Sequence, residues 1–296
     1  MGTGNIKSLL IYFSENIKNA LKPYENCENI CEIRLRAGRT PSIKLDFEEI
    51  ALKGCIVSRE DIEYSFKAVC EYSVYSFARE LSEGYITIKG GHRVGLCGTA
   101  VTVFNEIESI KYISGMNFRI ASERVGTADR LVSDIFSKEK CGIIISGPPS
   151  CGKTTVLRDL CRQIGNKYRV SLIDERGEIA AVYKGTPQND IGAFTDVFDG
   201  YPKASGIITA IRTMTPDFIF VDEIGSESDY RAIEQSVYCG AEIIATMHIA
   251  DKDMMLKRNN IKALLDTGAF RYIVFLGSGK NTGKIISVTG VSECLN

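Results

Sequence analysis

The stretch Cys141-Gly142-Ile143-Ile144-Ile145-Ser146-Gly147-Pro148-Pro149-Ser150-Cys151-Gly152-Lys153-Thr154 decides the fold of the second half of this chain. Its first six residues form a short apolar run typical of a buried strand, and its last eight fit a glycine-bounded phosphate-binding loop. From Thr155 to Ile164 the apolar residues recur on one helical face. Strand, loop and helix in this order are the context in which the motif predicts a nucleotide site.

The spacing within the loop has a chemical reason. Gly147 and Gly152 let the backbone curl so that its N–H groups face phosphate oxygens, and the helix N-terminus adds a field that favours negative charge. Lys153 is predicted to reach the β- and γ-phosphates, and the Thr154 hydroxyl to bind Mg²⁺. We therefore predict ATP and Mg²⁺ as ligands. The predicted nucleotide-binding residues are Gly147, Pro148, Pro149, Ser150, Cys151, Gly152, Lys153, Thr154 and Thr155.

Composition narrows the class of protein. A chain of 296 residues is long enough for one large or two modest domains, and its net charge of −1 gives no general argument for nucleic-acid binding. We see neither a secretory leader nor an apolar run of roughly 18–20 residues, and so predict a cytoplasmic protein that reaches any membrane through partners. The ten cysteines sit mostly in apolar or helical patterns, which favours reduced, buried thiols over a disulfide framework.

The pattern of the sequence changes along the chain. Residues 1–116 mix strands with helices, as in the alternating run Glu32–Arg36 and the Ser58 N-cap with Asp61 three residues on, and predict a smaller α+β domain. Residues 117–138 are predicted to link it to a domain at 139–296, where apolar strands alternate with helices and indicate a parallel-rich α/β sheet. The polar, glycine-punctuated stretch Gly185–Gly206 predicts a long loop. Predicted strands of the second domain are Gly142–Ser146, Val170–Ile173, Phe218–Val221, Ile243–Thr246, Tyr272–Leu276 and Ile285–Val288.

Two of these strands end in acidic pairs, Asp174-Glu175 and Asp222-Glu223. The carboxyl ends of parallel strands share one edge of a sheet, where ligands bind. We assign Asp222 to Mg²⁺ and Glu223 to orienting the attacking water. Glu175 and Glu178 are alternates for that base, and part of the 174–178 cluster is expected only to cap a helix.

The sequence also offers candidate residues for sensing the γ-phosphate and for offsetting the charge that develops on it. His248 or Thr246, at the end of another strand, is predicted to sense the γ-phosphate, although a lone histidine is often only a satisfied structural residue. Charge that develops on the γ-phosphate is often met by an arginine from a neighbouring subunit, which requires a ring. The arginines considered, which could equally be solvated or ion-paired, are Arg34, Arg36, Arg39, Arg93 and Arg119, of which Arg93 and Arg119 are the chosen catalytic candidates.

The order of these motifs resembles the type II and type IV secretion-ATPase superfamily. The resembling segments are Asn117–Ala121 (linker arginine), Ser171–Glu178 (acidic box), Ile211–Asp217 leading to Asp222-Glu223 (Walker B), and Thr246–His248 (histidine box). The resemblance implies an N-terminal α+β domain, a short linker and a RecA-like P-loop ATPase domain, assembled as a homo-hexamer. The chain departs from the superfamily at Arg176-Gly177, where a proline is usual, at Gly240-Ala241 and at Gly225-Ser226.

A more specific resemblance, running from about residue 28 to 290, is to the stage III sporulation protein AA family. It rests on Glu32–Pro41, Glu83–Gly95, Gly152–Leu160 and Asp174–Ala180. It implies an ATPase in the mother-cell cytoplasm, peripheral to the membrane, that acts with membrane proteins of a channel to the forespore and energises its assembly or transport. Alternatives are a nucleotide-gated assembly module with little hydrolysis and a RecA-like nucleic-acid translocase. The near-neutral charge counts against the translocase.

Overall fold

The computed structural model describes residues 6–27, 29–45, 48–121, 124–249 and 258–295. The chain divides into two compact units. The N-terminal unit comprises Met1–Glu123 and Ala181–Gln188, and the C-terminal unit comprises Arg124–Ala180 and Asn189–Asn296.

The N-terminal unit is built on a six-stranded antiparallel sheet. Its strands are β1 (Glu32–Arg36), β2 (Ser42–Lys44), β3 (Glu49–Ala51), β4 (Tyr85–Ile88), β5 (His92–Val103) and β6 (Glu106–Arg119), in the order β3-β2-β1-β6-β5-β4. Its α-helices are α1 (Glu15–Leu21), α2 (Arg59–Val69) and α3 (Ala78–Glu83). As predicted, Ser58 caps α2, and its hydroxyl and the Asp61 carboxylate form a reciprocal capping box. Ile33, Leu35 and Phe118 alternate inward on β1 and β6 and are buried in the core of this unit.

The C-terminal unit is built on a seven-stranded, mostly parallel sheet. Its strands are β7 (Ile143–Ser146), β8 (Val170–Asp174), β9 (Thr195–Asp199), β10 (Phe218–Val221), β11 (Glu242–Met247), β12 (Tyr272–Leu276) and β13 (Ile285–Gly290). Their order is β13-β12-β7-β11-β10-β8-β9, and only β13 runs antiparallel to its neighbour. Strands β7, β8 and β10 are buried along their whole length, because helices cover both faces of a parallel sheet. The predicted α/β fold class, with a smaller α+β unit before a parallel-rich unit, is confirmed.

The helices of this unit alternate along the chain with its strands. Asp129–Leu131 (α4) continues into a π-helical turn, Val132–Phe136, and the other helices are α5 (Lys153–Ile164), α6 (Lys203–Met214), α7 (Glu227–Val237), α8 (Asn259–Asp266) and α9 (Val291–Leu295). Helix α7 begins with a second capping box, between Ser226 and Asp229. Because β7, β8, β10 and β11 are parallel, their carboxyl ends bring four loops to one edge of the sheet.

The stretch 185–206 is not one long loop, and that prediction was wrong. Thr195–Asp199 forms edge strand β9, parallel to β8, and α6 begins at Lys203. The strand carries Asp196 and Asp199 and is paired on one side only, so its sequence lacks the apolar run of a central strand. Residues 185–188 belong to the N-terminal unit. Just before them, Tyr183 and Lys184 contact Glu71 of the same unit.

Two smaller findings concern the cysteines and the membrane. All ten cysteines are free thiols, but Cys97 and Cys239 are exposed, contrary to the predicted burial. Cys97 lies on β5 and Cys239 follows the end of α7, where the chain turns at the surface. Among the described residues, no helix combines the length and the apolar character needed to cross a membrane.

Candidate active site

The phosphate-binding loop connects the end of β7 to the first turn of α5. Its backbone takes left-handed angles at Ser150 (φ 58°) and Gly152 (φ 93°), as expected of a loop that curls around an anion. Gly147 is needed because a Cβ there would lie 2.6 Å from the Cys151 Sγ atom. Gly152 is the N-cap of α5, so the unpaired N–H groups of its first turn face the loop.

Lys153 is buried and fully engaged within the protein. Its Nζ atom donates to the Gly147 carbonyl (3.0 Å) and the Pro148 carbonyl (2.9 Å), and lies 3.0 Å from His248 Nδ1. The side chain is 5% exposed. These partners occupy all three hydrogens of the ammonium group, and a bound phosphate would have to replace at least one of them.

Thr154 and Asp222 form the candidate metal site. The Thr154 hydroxyl donates to Asp222 Oδ2 over 2.9 Å, and the Thr246 hydroxyl donates to the other carboxylate oxygen. Burial raises the pKa of Asp222, and the two hydroxyl donors oppose that rise. A hydroxyl beside a carboxylate suits Mg²⁺, which takes few protein ligands and completes its shell with phosphate and water. Among the described residues, no cluster of three or more His, Cys, Asp or Glu side chains could hold a metal ion.

Glu223 is held by contacts on its backbone and on both carboxylate oxygens. Its backbone adopts a left-handed conformation (φ 54°), and its N–H donates to Thr246 Oγ1 over 2.8 Å. Oε1 accepts from His248 Nε2 (2.8 Å), and Oε2 accepts from Arg176 Nη1 (2.6 Å). Burial alone would raise the pKa of Glu223, but the hydrogen bond from His248 and the charge of Arg176 hold it below its ordinary value. The carboxylate is therefore ionised and able to accept a proton from water.

His248 bridges the phosphate-loop lysine and the acidic strand end. Because the Lys153 ammonium has only hydrogens to donate, Nδ1 of His248 is the acceptor and Nε2 carries the hydrogen that Glu223 accepts. The result is a continuous chain of hydrogen bonds from Lys153 through His248 to Glu223. A histidine in this position connects the residue predicted to touch the phosphates with the residue predicted to orient the water, which suits the predicted sensing role.

At the other acidic strand end, after β8, Asp174 stabilises the turn that follows the strand. Asp174 is 2% exposed and accepts the backbone N–H groups of Glu178 (2.8 Å), Ile179 (3.0 Å) and Ala180 (2.8 Å). Burial raises the pKa of Asp174, and these three donors counter it. Glu175 forms an ion pair with Lys203. Glu175 and Glu178 line a small cleft that also contains Asp222 and Glu223, so both alternates lie beside the proposed base.

A cleft of about 510 Å³ lies over the phosphate-binding loop. It is lined by Arg124, Thr127, Ser150, Gly152, Lys153, Thr154, Thr155, Glu223, His248, Thr282, Gly283 and Lys284. Sequence reasoning missed five of these: Arg124, Thr127, Thr282, Gly283 and Lys284. The last three belong to the β12–β13 turn, where the Gly283 N–H donates to the Cys151 carbonyl over 2.8 Å. Two Gly-Lys pairs in this turn, Gly279-Lys280 and Gly283-Lys284, were the available signal.

The arginines considered for a role in trans all belong to the N-terminal unit. Arg34 pairs with Glu32, and Arg36 lies near Glu49. Arg93 lies over the Tyr85 ring at 4.5 Å and is opposite Arg119 in the β5–β6 register. Arg39 lies in an exposed bend after β1. Their action on a neighbouring subunit stays a prediction.

Comparison with known proteins gives consistent results. A family described as "Sporulation stage III, protein AA" matches residues 6–292. The chain is 33% identical to Stage III sporulation protein AA of Bacillus subtilis (strain 168) over 299 residues, covering 95% of this chain and 97% of that protein. It is 23% identical to the uncharacterized protein ycf45 of Porphyra purpurea, covering 91% of this chain and 45% of that one.

Solved structures share the fold. The pilus retraction motor PilT with bound ADP superposes with a TM-score of 0.62 at 17% identity, covering 87% of this chain and 77% of that one. The Legionella pneumophila ATPase DotB gives a TM-score of 0.57 at 14% identity, covering 88% and 74%. At such identities the likeness establishes the fold, while the site rests on the geometry described above.

Proposed function

This chain belongs to the stage III sporulation protein AA family, and from that premise we propose that it is an ATP-hydrolysing motor subunit. One observation carries the proposal. Thr154 of the phosphate-binding loop donates a hydrogen bond directly to Asp222. Lys153 is connected to Glu223 through His248, which is hydrogen-bonded to both residues. A site that only bound a phosphate would not need an ionised carboxylate at the far end of this network.

The chain's own residues supply the steps of hydrolysis. Lys153 and the first-turn N–H groups of α5 bind the phosphates and hold the γ-phosphate in line for attack. Glu223 orients a water molecule and accepts its proton. As the water oxygen bonds to the γ-phosphorus, the bond to the bridging oxygen breaks and its electron pair leaves with ADP. Mg²⁺ held by Thr154 and Asp222 would offset the negative charge of the phosphates.

We further propose the biological setting. The chain forms a homo-hexameric ring in the mother-cell cytoplasm and docks on membrane proteins of a channel to the forespore, which it energises for assembly or transport. The family's sporulation name and the fold shared with a pilus motor and an ATPase support this setting. Arg93 or Arg119 is proposed to act on the neighbouring subunit.

The test is steady-state ATP hydrolysis over a range of protein concentrations. We expect turnover per subunit to rise with concentration, and to fall about 100-fold or more in Lys153→Ala and Glu223→Gln. Lys167→Ala and Glu234→Gln are matched controls, because both residues are exposed on the same unit away from the cleft. Wild-type protein that binds Mg-ATP but hydrolyses it no faster than Glu223→Gln would contradict the motor and support a nucleotide-gated assembly module.

A further inference from the structure

The motifs in the sequence assign no catalytic role to Arg176. It lies two residues beyond the end of β8, in the turn that Asp174 holds through three backbone N–H groups. Gly177 follows with a left-handed backbone (φ 60°), which lets the chain reverse there. Strand β8 is hydrogen-bonded to β10, so this turn lies beside the loop that carries Asp222 and Glu223.

The guanidinium of Arg176 contacts the proposed base directly. Its Nη1 atom lies 2.6 Å from Glu223 Oε2, and the Arg176 side chain is 62% exposed while that of Glu223 is 26% exposed. The adjacent acidic residue, Glu175, forms an ion pair with Lys203. Arg176 thus places a permanent positive charge next to Glu223, with much of its side chain exposed to solvent.

The location of this charge matters for phosphoryl transfer. A water molecule oriented by Glu223 would lie between that carboxylate and the γ-phosphate, so a group in contact with Glu223 is within about one water layer of the phosphate oxygens. A guanidinium has five N–H donors in a planar fork and can contact a carboxylate and a phosphate oxygen together. Lys153 lies in the first turn of α5, whereas Arg176 follows β8, so the two positive charges come from different elements of this unit.

Resting on the proposed ATPase function, we infer that Arg176 is a catalytic arginine supplied in cis, within the same subunit that binds the nucleotide. It contacts the γ-phosphate oxygens as the water attacks, and offsets the charge that develops there. In the absence of nucleotide the same guanidinium stays on Glu223.

The first test compares the kinetics of Arg176→Ala, Arg176→Lys and wild type. We expect kcat to fall about 100-fold or more in Arg176→Ala and about tenfold or more in Arg176→Lys, with the dissociation constant for Mg-ADP changed by less than about threefold. Arg231→Ala is the control, since Arg231 is 74% exposed and pairs with Glu227 over 2.5 Å.

The second test separates action in cis from action in trans. Arg176→Ala and Lys153→Ala subunits are co-expressed with different tags, and assemblies containing both are purified. An arginine in cis predicts no activity in these assemblies, because every subunit lacks one half of its own site. Recovery of activity on mixing, or an Arg176→Ala kcat within about threefold of wild type, would overturn the inference and leave the ATPase function standing. Wild-type protein that binds Mg-ATP without turnover would instead remove the proposed function and this inference with it.

Discussion

Replacing Asp174 tests whether the turn after β8 is held by the buried carboxylate. Asp174→Ala removes the acceptor of three backbone N–H groups, at 2.8, 3.0 and 2.8 Å, and leaves them without their partner in a buried turn. Each unsatisfied donor costs about 1–3 kcal/mol. Because burying the charge already opposes folding, we take the lower end and expect a loss of about 3 kcal/mol in the free energy of unfolding.

Asp174→Asn refines that number. Oδ2 accepts two of the N–H groups and Oδ1 the third, so an asparagine can place its oxygen on the pair and must direct its NH₂ group at the Glu178 N–H. One hydrogen bond is lost and two remain, so the expected cost is about 1–2 kcal/mol. The predicted order of stability is wild type, then Asp174→Asn, then Asp174→Ala.

Thermal unfolding followed by circular dichroism measures the effect. For a unit of about 150–250 residues, 1 kcal/mol corresponds to roughly 2–4 °C, so Asp174→Ala should lower Tm by about 6–12 °C. Asp196→Asn, on the exposed edge strand β9, is the matched control and should leave Tm within about 1 °C. An Asp174→Ala protein as stable as this control would refute the reasoning, because the three N–H groups would then be satisfied without the carboxylate.

Three further predictions each concern the replacement of one residue. Thr246→Val keeps the shape of the buried side chain but removes both the acceptor of the Glu223 N–H and a donor to Asp222, so single-turnover hydrolysis should slow about tenfold or more. Two basic neighbours lower the pKa of Asp217 to about 2, so its carboxylate stabilises the fold above the unfolded pKa and loses that effect as the pH falls toward 2. In urea titrations, Asp217→Asn should therefore cost about 1 kcal/mol at pH 7, after discounting for solvent screening, and about half as much at pH 3. Gly206→Ala places a Cβ 2.5 Å from Ile173 Cγ2, so Tm should fall despite the better helix propensity of alanine; a rise would show that the two elements can separate.

The sequence predicted best what is encoded locally. The loop from Gly147 to Thr154 carries its own glycines between its own strand and helix, so one short segment is enough to predict it. Most predicted strands of the parallel sheet were found because they are buried on both faces and read as continuous apolar runs. The family was recognisable for the same reason, since its motifs are short and ordered along the chain.

Features that depend on long-range packing could not be predicted. Strand β9 has little apolar pattern because it is paired on one side only, and its pairing with β8 decides its structure. Lys284 reaches the nucleotide cleft only because the β12–β13 turn folds over Cys151, far away in sequence. The contact between Arg176 and Glu223 depends on which strands are neighbours in the sheet, which spacing along the chain does not state.

At Glu223, the residue that would be best for folding differs from the residue that the proposed hydrolysis requires. A side chain with a Cβ is disfavoured there by about 1–2 kcal/mol, a cost that glycine would not incur. Selection of random variants for heat resistance alone should therefore accept glycine at this position, and the survivors would be robust proteins without a base. A thermostable version of this chain has to be selected for turnover in the same round, with stabilising changes taken from elsewhere in the fold.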